Sequence, residues 1–179
     1  MAKKQITAVG LAKLEYAAVP ASGLPSAWTE IEVVHEDTFS YEQAEDTADD
    51  YINEIDGEVY ESTLKKGTKS LNFSIGKYDL ELKSVFMGGT YTAATAATTE
   101  PVAPAAPAKW VPADDLSPIY KAFRATTLDG VTITIPKGKV SAVQGKNKKA
   151  IGLTIKVTPM KPDDTSLKAE IWEDGDVPA

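Results

Sequence analysis

The sequence predicts a mainly β fold: an antiparallel β-barrel or sandwich of roughly nine to ten short strands with one flanking α-helix at about 79–87. Three observations carry this prediction. Apolar residues alternate with polar ones in several short runs, most clearly at Leu71, Phe73 and Ile75. Turn signals separate the runs, the strongest being Asp129-Gly130. Helical character is confined to one stretch, just before Gly88-Gly89. A chain of 179 residues suits a single domain spanning 1–179. A compact fold of that size buries roughly 70% of its unfolded surface, so it needs no disulfide or metal staple.

A short strand near Leu11–Tyr16 is followed by an irregular connection through Pro20, Gly23 and Pro25. Between Trp28 and Val34, Ile31 and Val33 alternate with Glu30 and Glu32, the period of a half-buried strand. Residues 36–61 hold eleven acidic side chains and no Lys or Arg. They are expected to form a hairpin-like excursion: a strand at about 37–43, an acidic loop, and a return strand at about 57–64. Lys65-Lys66-Gly67 marks a turn before the Leu71–Ile75 strand.

Lys77 to Met87 fits either alternation or a helical stripe of Tyr78, Leu82, Val85 and Phe86. Good helix formers, Asp79 as an N-cap and the glycine pair as a stop decide for helix. Residues 93–108 are rich in Ala, Thr and Pro and read as an exposed, nearly featureless loop. From Ile119 the β signal returns. Val131, Ile133 and Ile135 alternate up to Pro136, where a strand is expected to stop. Strands at Val140–Val143, Ile151–Val157 and Leu167–Trp172 complete the set.

Composition weakens most enzymatic readings. Cysteine is absent from the sequence, which removes zinc-thiolate sites and thiol nucleophiles. His35 is the one histidine, too few for a multi-histidine metal site and poor ground for an acid–base pair. Setting Gly57 at the sixth position of an EF-hand puts Thr63 where a glutamate belongs, so that match fails. Asp46, Asp49 and Asp50 form a looser carboxylate set, for which a solvated or partner-facing loop is the preferred account. Ser62-Thr63-Leu64-Lys65 has the Ser-x-x-Lys form but lacks its companion motifs. Gly145-Lys146 lacks P-loop spacing. Asn72-Phe73-Ser74 satisfies a glycosylation sequon inside a strand, where chance explains it. The expectation is no catalytic residue, no cofactor, no metal, no small-molecule substrate and no membrane span.

Charge segregation survives this filter. Residues 130–162 carry seven lysines and no acid, against the eleven acids of 36–61. Runs of one sign either face water or meet an opposite partner. A subunit with unlike ends makes heterologous, head-to-tail contacts that close into rings or continue as filaments.

The order of these features resembles the major tail tube proteins of long-tailed bacteriophages. The likeness runs from about Val9 to Glu173. It comprises the Trp28–Ile31 strand, the acidic excursion with Gly57–Tyr60, Leu71–Ile75, and the helix ending at Gly88-Gly89-Thr90. Asp129-Gly130, Ile135-Pro136 and Gly152–Met160 follow. The resemblance implies the β-barrel or sandwich with flanking helix shared with the haemolysin-coregulated tube protein. It also implies hexameric rings, stacked head to tail into a virion tail tube together with other tail proteins, after synthesis in the host cytoplasm. DNA would pass through without specific binding, and a hairpin would reach the neighbouring ring. On that reading, Asp46, Asp49, Asp50 and Glu54 of one subunit meet Lys146, Lys148 and Lys149 of the next, and the lysines avoid the bore. The alternatives are a type VI secretion-like tube subunit and a monomeric adhesion or carbohydrate-binding module. Trp28, Trp110 and Trp172 are scattered for a glycan platform.

Overall fold

A computed structural model describes residues 8, 10–77, 79–99, 102–115, 117–147 and 150–175. The strands are β1 (Lys13–Ala17), β2 (Thr29–Glu30), β3 (Ser40–Gln43), β4 (Thr47–Ile52), β5 (Val59–Lys65) and β6 (Lys69–Ile75). Helix α1 (Leu80–Met87) comes next, followed by β7 (Thr90–Thr92), β8 (Thr98–Thr99), β9 (Val102–Ala103) and β10 (Lys109–Val111). The last four strands are β11 (Ile119–Thr126), β12 (Thr132–Asn147), β13 (Ala150–Pro159) and β14 (Ile171–Glu173). The fold is mainly β and antiparallel, with one helix among the described residues.

One curled sheet organises the core in the order β2-β1-β11-β12-β13-β6-β3, with β14 as a further neighbour of β12. The 16-residue β12 makes the corner. Its first residues pair with β11 on one side and β14 on the other, and from Gly138 onward it pairs with β13. The expected stop at Pro136 does not occur. Lys121 pairs with Gly138 and Phe123 with Ile135, so Pro136 and Lys137 together oppose Ala122. That is a β-bulge, a place where a missing N–H breaks no rung. Two of the expected short strands are therefore one long strand.

The two halves of the curled sheet face each other across an apolar core. Leu14, Phe123, Ala125 and Ile135 meet Leu71, Phe73, Ile155 and Val157, all buried. Phe73 and Phe123 lie edge to face, with centroids 6.0 Å apart, and Phe86 of α1 stacks on Phe123 at 6.1 Å. The helix thereby caps one side of the core. Asp79 accepts the Glu81 and Leu82 backbone N–H groups as its N-cap, and Gly88 ends it at φ 75°. Phe86 is buried while Leu82 and Val85 pack partly against the core, so these members of the expected stripe do face inward. Tyr78 lies outside the described residues.

The sheet does not close into a barrel. After β2 the chain crosses from β1 to β6: Ile31 N–H bonds Leu14 O, whereas Val33 O accepts from Gly76. An isolated bridge, Val34–Ile75, joins this segment to β6, with the Thr38 hydroxyl also accepting the Ser74 N–H. The crossing also explains why Ile31 is buried and Val33 exposed, although alternation had placed both inside.

Two excursions differ from expectation. The return strand β5 pairs with β4, and β3 pairs with β6 instead. The acidic stretch expected as a loop is thus itself a strand. The described residues of 93–108, expected as a featureless loop, belong to a long β ribbon. The β7–β10 rungs, the Thr95–Ala106 bridge and the β8–β9 rungs all keep one register. Pro104 falls opposite Ala97, in phase with the hydrogen-bonded pair Thr95–Ala106, so its missing N–H interrupts the ladder there. At the ribbon's base the Trp110 indole N–H donates to Gly88 O, and the Lys83 ammonium sits 3.9 Å from the Trp110 ring centroid.

Candidate assembly surface

Beyond β3 the chain leaves the sheet as a two-stranded arm, β4–β5. Its base is pinned where Gly67 donates to the Asp46 carboxylate at 2.8 Å and Ala44 N–H bonds Thr68 O. A Cβ on Gly67 would lie 1.8 Å from the Ala44 carbonyl oxygen, so only glycine fits. The tip is built by Asn53 and Asp56, which bond each other and the Ile55 and Glu58 N–H groups, with Gly57 at φ 74°.

Every residue of β4 and β5 is exposed. Register puts Ala48 beside Leu64, Asp50 beside Ser62 and Ile52 beside Val59 on one face. Ile55, at the tip, is 94% exposed and Leu64 is 79% exposed. On the other face a bulge lets Tyr60 approach Tyr51, their ring centroids 6.4 Å apart. An isolated two-stranded hairpin is marginally stable in water. This one adds an uncovered aliphatic face.

The predicted acids have distinct surroundings. Asp46 holds the arm's base, Asp49 pairs with Lys65, and Asp50 accepts the Ser62 hydroxyl. Glu54 stands in the turn with no hydrogen bond or ion pair among the described residues. These acids are not gathered round a common point; among the described residues no group of three or more His, Cys, Asp or Glu side chains is placed to hold a metal ion.

Lys146 lies at the far end of β12, paired in register with Ile151, and Lys148 and Lys149 lie outside the described residues. β6 meets β13 with Leu71 opposite Val157 and Ile75 opposite Leu153. The arm therefore leaves the Lys69 end of this strand pair, while β12 and β13 run on past the Ile75 end to Asn147 and Ala150. The acids of the arm and Lys146 thus lie toward opposite ends of the β6–β13 pair. The lysine end also carries exposed aliphatics, Val143 and Ile151. Sequence reasoning had missed the aliphatic half of both ends. Alternation marked Val59 as a strand residue, but it could not show that no core lay beneath.

Two ion-pair networks brace the sheet between these ends. Arg124 Nε donates to Glu15 at 2.7 Å and stacks over Trp28, its guanidinium 4.7 Å from the ring centroid. That hydrogen bond holds the Glu15 carboxyl below its ordinary value of 4.5, against the opposing effect of burial. Glu170 accepts from Lys69 and from the Tyr41 hydroxyl, tying the segment before β14 to β3 and β6. Burial works to raise the Glu170 pKa, and the two donors outweigh it. Burial and that carboxylate together push the Tyr41 phenol upward. No known protein family and no curated protein matches the chain.

Proposed function

We propose that the chain is a structural subunit that assembles head to tail into stacked rings, forming a tube of the phage-tail kind through which DNA passes. The observation that carries this reading is the placement of an acidic, aliphatic arm and of the β12–β13 strand ends, with Lys146 and exposed Val143 and Ile151, toward opposite ends of one strand pair. Opposite potentials fix register and orientation, and aliphatic burial supplies affinity. Covering two or three of the exposed aliphatics contributes on the order of 3–6 kcal/mol before ordering costs. A surface that differs from end to end gives a heterologous contact, which propagates instead of stopping at a dimer.

The uses already found for two tryptophans favour assembly over a glycan-binding module. Trp28 lies under Arg124, and Trp110 is held by Gly88 and Lys83. The test is sedimentation velocity of purified protein across a concentration series. Growth into rings and polymers supports the reading; a monomer at every concentration rejects it.

A further inference from the structure

A cleft of about 730 Å³ opens at the end of the sandwich between the start of β1, the crossing after β2, and β14. Its floor is apolar: Leu11, Ile31, Val34, Phe39 and Ile133 line it. Its rim is acidic. Glu30, Glu32, Glu36 and Asp37 stand around the opening, against Lys13 as the one lysine or arginine lining it among the described residues. Lys13 is engaged by Glu15 and Glu30, and Glu32 is paired with Lys77 at 3.3 Å. Glu36 and Asp37 carry no ion pair among the described residues.

Two further features suit an extended chain. Val34 meets Ile75 as a lone bridge whose hydrogen bonds are made by Val33 and His35. In such a pair the intervening residue turns its own N–H and C=O away from the partner strand. Trp172 lines the cavity too, 48% exposed and braced edge to face by Tyr41, with its centroid 5.1 Å away. An aromatic face beside carboxylates suits a lysine or arginine head group.

We infer that this cleft is a docking site for an extended peptide segment of a partner, one carrying an aliphatic or aromatic side chain flanked by lysine or arginine. The apolar anchor enters the floor, the flanking cations meet the rim, and the open Val34 backbone pairs with the peptide's main chain. A neutral apolar ligand would leave the rim unused, and a purely cationic one would leave the floor open to water. The inference stands apart from the assembly reading, since none of these residues belongs to the arm or to the β12–β13 turn.

The probe is a fluorescein-labelled Lys-Leu-Lys-Phe-Lys peptide, titrated by anisotropy with the full chain at about 0.15 M salt. Two controls replace its apolar residues with serine or its lysines with glutamate. Binding near 10 µM is expected, with both controls at least about tenfold weaker. Glu36→Lys combined with Asp37→Asn should weaken the probe about tenfold, because both positions are exposed and asparagine tolerates the Asp37 φ of 60°. Asp49→Lys in the arm should leave it unchanged. Absence of binding, equal binding of the serine control, or equal weakening by the arm substitution would each overturn the proposal.

Discussion

Glu15 is 4% exposed in the middle of β1, a poor place for a carboxylate unless its charge is met on both sides. Arg124, its neighbour across the β1–β11 rung, and Lys13, two residues earlier, supply that charge. Because the folded pKa lies below the ordinary 4.5, the pair's contribution is complete above that value. It is lost as pH falls through the folded pKa. Glu170 is depressed in the same sense and adds to the same acid limb. We predict that urea midpoints fall as pH drops from 5 to 3, and that Glu15→Gln flattens this dependence. The same substitution should cost about 1–3 kcal/mol at pH 7, because charge-assisted hydrogen bonds to a buried group are lost. A variant with a wild-type acid limb would show that the network contributes nothing to stability.

At the scale of elements, the arm and the core obey different rules. Core strands hold their register through buried side chains, so deletions there open cavities. The arm faces only water within one subunit. Leu64→Ser should therefore shift unfolding by less than about 0.5 kcal/mol, the usual size for an exposed site. The same change should weaken self-association, read by sedimentation. A large loss of stability with assembly intact would mean that the arm packs on its own chain.

The same distinction explains what the sequence made legible. Leu71, Phe73 and Ile75 were readable because a half-buried strand must alternate, and α1 because its cap, its stop and its residue preferences agreed. β4 escaped because Ala48, Asp49 and Asp50 disfavour strands, and only pairing with β5 holds them extended. The ribbon between Thr90 and Val111 escaped for a similar reason: its ladder is main-chain bonding with almost no apolar signature. Pro136 misled because a bulge, which depends on the partner strand, absorbs the missing donor. Both ends of the proposed assembly surface could be placed on the sequence by charge. That the arm and Lys146 lie toward opposite ends of the β6–β13 pair depends on its register, which alternation does not reveal.

Viewed as a whole, the molecule carries −7 with its charges sorted by position. For a DNA passage, net acidity is consistent with mobility, because each lysine or arginine on a phosphate adds salt-dependent affinity. The proposed stacking contact is electrostatic in part, so added salt should weaken it as the screening length drops below about 8 Å. Replacing Lys146, Lys148 and Lys149 together by glutamate should hinder growth while leaving the unfolding midpoint nearly unchanged. Assembly indifferent both to salt and to this triple change would leave the aliphatic faces as the sole source of contact.

Electron microscopy of the concentrated wild-type protein tests the central claim most directly. Ends that are unlike and mutually attractive predict stacked rings of uniform bore, lost when the arm between Asp46 and Lys66 is replaced by a short Gly-Ser turn. Dispersed single particles at every concentration, or tubes that persist without the arm, would contradict it.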